Sequence, residues 1–304
     1  MIELTKDNYL YEIGQGETWS VNIDPPKNKV RTYYEETISA VEYIHENKIG
    51  KFQVLYSGGL DSQYICEVLL RLGIDFEPVI IELKNSFGSV YNSHELKYAF
   101  DFCESKNLKP TIYDLNFDNF VKTGKINDVA ESVACCAIEM PATMYVASKL
   151  DGFTILGNDP PYLRLEKNKI WVYEQLEVIN ALSRFYNKFN LNGNPYLLYY
   201  TAEMLLAYLL DPAISKVCSG MMPGKTGTNS TKSLVFNNKS NFNMPVYDFV
   251  KKDRIKYTGY ECILENVEIT NHPNFLIFDE YKKKWNAEYI EPYFDIVKRL
   301  SINQ

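Results

Sequence analysis

The sequence predicts an α/β fold: a doubly wound parallel sheet followed by a mainly helical C-terminal region. Three observations predict it. Between residue 50 and about residue 165, short apolar runs alternate with segments whose apolar residues recur at helical spacing, which is the pattern of parallel strands joined by right-handed helical crossovers. The first of those runs passes into its helix through a serine- and glycine-rich turn at Ser57-Gly58-Gly59. Beyond residue 165 the pattern shifts to helices.

Taken in order, residues 1–49 form an N-terminal arm and helix. Tyr9, Tyr11 and Ile13, then Trp19, Val21 and Ile23, alternate as in a small hairpin or extended arm, and Asp24-Pro25-Pro26 breaks the pattern. Tyr34, Ile38, Val41 and Ile44 place a helix over 31–47. Residues 50–165 form the α/β domain. Its first strand is 52–56, and its first helix carries Ile65, Val68, Leu69 and Leu72 on one face and ends at Gly73. Residues 78–81 make the second strand. Ser93 reads as the cap of a helix with Leu96, Ala99, Phe100 and Cys103 inward, and 111–113 make the third strand. A long helix is expected over 127–150 and a fourth strand over 153–156. Residues 166–304 form a mainly helical substrate and lid region, with helices expected at 176–189, 200–210, 212–218 and 280–300 and a polar stretch at 220–243.

The composition narrows the function. The 304 residues are 46% hydrophobic and 23% charged, with a formal net charge of −7, as for a soluble globular protein rather than a chain gripping nucleic acid by overall basic charge. A nucleic-acid partner would need a local basic cleft. The six cysteines form no C-x-x-C pair, and the start lacks a basic segment followed by an apolar run, so the expected setting is reducing and cytoplasmic. No window approaches the ~18 apolar residues of a membrane span. His45, His94 and His272 are too dispersed to suggest a metal cluster or triad.

The chemistry is concentrated in Leu55-Tyr56-Ser57-Gly58-Gly59-Leu60-Asp61-Ser62. A helix that begins at the carboxyl end of a parallel strand points unpaired N–H groups and its positive dipole end outward, which suits a phosphate. Gly58 and Gly59 carry no Cβ to hold a polyphosphate away and permit unusual φ values. Ser57 and Ser62 add hydroxyls, and Asp61 can cap the helix or hold Mg²⁺ through water.

This Ser-Gly-Gly-x-Asp-Ser signature, at a strand–loop–helix junction, resembles the PP-loop of the N-type ATP pyrophosphatases, and in character the synthetase domain of asparagine synthetase. It is not a Walker loop, since G-x-x-x-x-G-K-[ST] is absent there. The resemblance implies ATP and Mg²⁺, with the β- and γ-phosphates in the loop and the α-phosphorus open to a substrate oxygen. It assigns nucleotide binding to Ser57, Gly58, Gly59, Leu60, Asp61, Ser62, Glu82, Lys84 and Gly157. Glu82 and Lys84 fall where such enzymes face adenine or ribose. Gly157 and Asp159, in Gly157-Asn158-Asp159-Pro160-Pro161, look like a weak version of the glycine- and acid-containing turn near pyrophosphate, although the double proline departs from it. Metal binding then falls to Asp61 and Asp159, and catalysis to Asp61, Asp159 and Lys225. The loop around Met222-Pro223-Gly224-Lys225 would act as a lid, bringing Lys225 or Lys232 onto the phosphates.

The resulting expectation is an AMP-forming ligase or amidotransferase that adenylates a carboxylate or carbonyl and passes it to an amine or ammonia. Leu60 favours this, because ligases of the group commonly carry an apolar residue there. Residue 2 is Ile, so a built-in N-terminal-cysteine glutaminase is not expected, and a separate protein would donate ammonia or sulfur. The alternatives are a sulfurtransferase or sulfonucleotide-reductase-like protein acting on a nucleotide or tRNA, and a non-catalytic ATP or AMP sensor. Cys135-Cys136, in an apolar stretch, reads as core, and the basic segment 251–261 as a solvated face. The acceptor, expected to be a small molecule, and the oligomeric state are not encoded in any motif.

Overall fold

A computed structural model of the chain describes residues 9–13, 19–48, 50–133, 135, 140–158, 162–166, 169–174, 176–218, 229–245, 259–275, 288–302 and 304. β1 (Tyr9–Ile13) and β2 (Trp19–Ile23) pair as an antiparallel hairpin. α1 (Tyr33–Asn47) follows, started by a capping box: the Thr32 hydroxyl accepts from the Glu35 N–H while the Glu35 carboxylate accepts from the Thr32 N–H.

The α/β unit runs β3 (Phe52–Leu55), α2 (Leu60–Leu72), β4 (Phe76–Lys84), α3 (Ser93–Ser105), β5 (Thr111–Asn116), α4 (Phe117–Lys122), α5 (Lys125–Ser132), α6 (Met140–Ala147) and β6 (Phe153–Leu156). Next come β7 (Tyr162–Glu166), β8 (Lys169–Glu174), α7 (Leu176–Lys188) and β9 (Gly193–Asn194). A 3-10 turn at Leu197–Tyr199 leads to α8 (Ala202–Leu210), α9 (Pro212–Cys218), α10 (Asn229–Asn237), α11 (Tyr260–Glu265) and α12 (Val267–Thr270), and the chain ends in β10 (Glu288–Pro292) and α13 (Tyr293–Leu300).

The main sheet has the order β5-β4-β3-β6-β9 with every pair parallel. The chain steps from β3 to β4 to β5 in one direction, then returns across the sheet to β6 and β9 in the other. Right-handed crossovers travelling in opposite directions put their helices on opposite faces, so α2 and α3 cover one face and α4 to α7 the other. Every residue of β3 is buried as a result, and its one polar member, Gln53, is satisfied by donating to Glu77 Oε2 and accepting from the Gly152 N–H. The core includes Phe52, Val54, Val79, Ile80 and Ile155 of the sheet and Ile65, Val68 and Leu69 of α2, all buried in one cluster. Gly73, at φ +64°, ends that helix as expected, with its N–H bonded to Leu70 O and the Ile74 N–H to Leu69 O.

Four local expectations are corrected. The span 127–150 holds two helices, not one. Val133 turns α5 off at φ −137°, the Cys135 N–H closes onto Ala130 O at 2.8 Å, and Pro141, which has no N–H to give, sits in the first turn of α6 where none is needed. Asn92, not Ser93, precedes α3, and its side chain instead accepts from the Leu83 N–H and donates to Ile81 O, fastening the helix start to β4. The sheet gains a fifth strand, β9, too short to announce itself in sequence. Residues 288–292 are a strand, not helix, pairing with β8 in a three-stranded antiparallel sheet with β7. Pro292 enforces this by pushing Glu291 toward extended geometry just before α13 begins.

Candidate active site

The glycine-rich loop leaves β3 at the centre of the main sheet. The Tyr56 N–H still bonds Val79 O of β4 at 2.8 Å, and the chain then rises through Ser57, Gly58 and Gly59 into α2. Gly58 is required on two counts. Its φ is +81°, and a Cβ there would stand 2.9 Å from Ala99 N and 3.0 Å from Glu95 O on α3. Gly59 differs: it is the extended N-cap of α2, φ −75° and ψ 163°, and a Cβ there would meet Ser57 Oγ at 3.2 Å. The unusual φ expected of both glycines therefore belongs to Gly58 alone, and the argument for open space belongs to Gly59.

Hydroxyls knit the loop. The Gly59 N–H donates to Ser57 Oγ at 3.2 Å, Ser62 Oγ donates to Gly59 O at 3.2 Å, and the two hydroxyl oxygens lie 3.4 Å apart. Ser57 is exposed at the mouth and Ser62 buried beneath it. Leu60 is 3% exposed, so its side chain is core and what it offers a ligand is backbone. Asp61 is not the helix cap; it lies in the first turn of α2.

β3 and β6 are neighbours whose following helices lie on opposite faces, which makes the gap between their carboxyl ends the topological switch point where open α/β sheets take ligands. Gly157, directly after β6, forms the opposite wall. A Cβ on it would fall 2.5 Å from Ser62 N and 2.9 Å from Asp61 C. The turn after the fourth strand thus lies at the same edge of the sheet as the glycine-rich loop, and its bare backbone rests on the first turn of α2. Asp159, with Pro160 and Pro161, lies outside the described residues, as do Lys225 with the lid segment and Cys136.

A cation reaches the loop from elsewhere in the chain. Lys232 of α10 donates from Nζ to Asp61 Oδ2 at 2.6 Å, and the lysine side chain is 2% exposed against 14% for the aspartate. The two helices run side by side in the same direction. Asp61 meets Lys232 in their first turns, Tyr64 stacks on Phe236 with ring centroids 4.3 Å apart and 11° between planes, and Arg71 donates to Ser240 O at 3.4 Å beyond the far end. Of the two lysines expected at the loop, Lys232 lies against Asp61, and Lys225 is outside the described residues. Thr231, Lys232 and Ser233 are all buried, a polar trio that apolar periodicity assigns to solvent.

Glu82 and Lys84 stand further along β4. Lys84 Nζ bridges Glu82 Oε2 at 3.0 Å and Asp114 Oδ1 at 2.8 Å, and Glu82 pairs with Asp114 in the strand register. Glu82 lies three residues past Val79, about 10 Å along the strand from the loop. Two buried thiols flank the helices of this face: burial pushes Cys66 well up from the ordinary thiol range and Cys103 up to about 11.

Magnesium is tested by the donor set. Among the described residues no three His, Cys, Asp or Glu side chains gather as a metal site. Asp61 is a hard oxygen donor beside two hydroxyls, and Mg²⁺ ordinarily takes one or two carboxylates with water and substrate phosphates, so the loop fits a metal that brings phosphate ligands with it. No described helix is long and apolar enough to cross a membrane.

No family model and no curated protein matches the chain. Solved structures do. A predicted subunit of a tRNA methyltransferase from Methanocaldococcus jannaschii is 16% identical over 52% of this chain and 74% of its own, with a TM-score of 0.32. The U34-tRNA thiolase NcsA from Methanococcus maripaludis, with its [4Fe-4S] cluster, is 16% identical over 83% and 80%, with a TM-score of 0.34. NMN synthetase from Francisella tularensis is 13% identical over 69% and 92%, with a TM-score of 0.31. Similarity of this size assigns neither family nor chemistry, which rest on the site itself.

Proposed function

We propose that this chain binds ATP in the Ser57–Ser62 loop and splits it between the α- and β-phosphates, transferring AMP to an acceptor oxygen that an amine or ammonia then displaces. The observation that carries the reading is the loop at the switch point: Gly58 locked by its positive φ and by α3, Gly59 open, and Ser57 and Ser62 at the start of a 13-residue helix. Amide N–H groups, hydroxyls and the α2 dipole are donors for a polyphosphate, and Lys232 adds positive charge.

With the β- and γ-phosphates held there, the α-phosphorus faces the cleft between the sheet and the later helices. An acceptor carboxylate or carbonyl oxygen attacks it, the bond from the α-phosphorus to the bridging oxygen breaks, and pyrophosphate leaves with that electron pair. An amine or ammonia then attacks the activated carbon and releases AMP. The loop positions the reactants and offsets developing charge. Magnesium, when bound, would neutralise part of the departing pyrophosphate. Glu82 and Lys84 are assigned to the nucleoside end and Gly157 to the pyrophosphate end, with Asp159 and Lys225 as further contributors. The high thiol pKa values of Cys66 and Cys103 disfavour those two as sulfur carriers. The reading is tested by incubating the protein with ATP, Mg²⁺ and fractionated metabolites and following nucleotide products by phosphorus NMR. AMP with pyrophosphate in one fraction supports it, and ADP overturns it.

A further inference from the structure

We infer that the Lys232–Asp61 pair is an exchange latch that bars a bare divalent metal from the loop and admits it only together with a polyphosphate. The inference rests on the nucleotide-binding reading above and concerns the order in which its ligands enter.

The nearest hard ligand for a metal at the loop is the Asp61 carboxylate, and Oδ2 of that carboxylate already accepts from the Lys232 ammonium at 2.6 Å. The lysine cannot simply swing away. Its side chain is 2% exposed, and α10 is fixed along α2 by the Tyr64–Phe236 stack and by the Arg71 bond beyond it. A dication drawn to Asp61 would sit beside a fixed ammonium in a poorly solvated space. It would take from that ammonium the carboxylate that offsets its charge, and two like charges would face each other where water screens them least. A polyphosphate changes the balance. Its oxygens can accept from Lys232 as Asp61 turns to the metal, so each cation gains an anion in the same step. No bond is made or broken. Ser57 and Ser62 hydroxyls, and the α2 amides, sit where the same phosphate would lie.

The test follows binding of Mn²⁺ by electron paramagnetic resonance, with and without the non-cleavable analogue α,β-methylene-ATP. Wild-type protein is expected to leave Mn²⁺ free without the analogue and to bind it at one site with it. Lys232→Met is expected to bind Mn²⁺ without nucleotide about tenfold or more tightly than wild type, because the competing cation is gone. Lys232→Gln serves if the methionine variant does not fold, and adding Asp61→Asn to either should remove the bare-metal binding that it gains. Mn²⁺ binding to wild-type protein equally well with and without the analogue, unchanged by either lysine substitution, would overturn the latch. Failure of wild-type protein to bind the analogue at all, in a separate calorimetric titration, strikes the nucleotide reading instead, while a gain of bare-metal binding in the lysine variants would still support the competition.

Discussion

At the scale of single residues, the two glycines of the loop separate fold from function. Gly58→Ala forces a Cβ into φ +81° and against Ala99 N. We expect it to cost about 1–3 kcal/mol of stability, read as a lower denaturant midpoint. Gly59→Ala keeps an ordinary extended φ and meets a serine hydroxyl that can turn aside. That variant should unfold within experimental error of wild type yet lose most of its affinity for ATP and pyrophosphate in calorimetry. Equal affinity in a folded Gly59→Ala protein would remove the phosphate from this loop. Asp61→Asn is not a silent probe of chemistry either, since it leaves the buried Lys232 ammonium without its carboxylate. It should cost about 3 kcal/mol or more, and the double exchange Asp61→Asn with Lys232→Gln should recover a good part of that in a double-mutant cycle. The glycines and the aspartate were legible as letters in the sequence. Which glycine is structural was not, because the answer depends on Ala99 of α3 standing 2.9 Å from where a Cβ on Gly58 would lie, about forty residues down the chain.

Among the elements, α2 and α10 are the pair on which the site depends. Phe236 is fully buried, stacked on Tyr64 and close to Tyr33. Phe236→Ala should lower stability by about 3–5 kcal/mol and loosen the register that holds Lys232 at Asp61. Proteolysis or hydrogen exchange localised to α10 would show whether the loss begins there. On the same face, Cys66 in α2 and Cys103 in α3 keep their protons: the folded-state shift is upward for both. A raised folded pKa contributes stability below the ordinary thiol range, and that contribution is lost as pH rises through that range toward about 11 for Cys103. We expect both thiols to resist alkylation at pH 8 in the native protein and to react at once in denaturant, with a Cys66→Ser, Cys103→Ser protein retaining turnover when folded. Periodicity placed α1 and α3 because each buries a helical stripe, Tyr33, Thr37, Ala40, Val41 and Ile44 in the first and Leu96, Ala99 and Cys103 in the second. It failed at 127–150, where Pro141 sits in the first turn of a second helix, and at 280–300, where 288–292 pair as a strand and α13 begins only after Pro292.

For the whole molecule, the prediction concerns the bond that breaks. A polyphosphate held at the switch point leaves the α-phosphorus toward the later helices, so the nucleotide product should be AMP. An acceptor carboxylate labelled with oxygen-18 should pass one labelled oxygen into that AMP, detected by mass spectrometry. ADP would rule out the proposed phosphate placement, and unlabelled AMP would indicate attack by another atom. By itself the sequence determined the α/β class, four of the five strands of the main sheet and the position of the glycine-rich loop, because each depends on neighbours a few residues apart: apolar runs, helical stripes, and a glycine turn between them. Only the tertiary structure decided that Gly157 lies on the amide of Ser62, that a two-residue strand at Gly193–Asn194 completes the sheet, and that Lys232 turns inward to Asp61. These are contacts between segments 95 and 171 residues apart, or pairings too short to leave a period. Local propensity carries no information about them, since burial next to a particular partner, and not the residue's own chemistry, fixes where such side chains point.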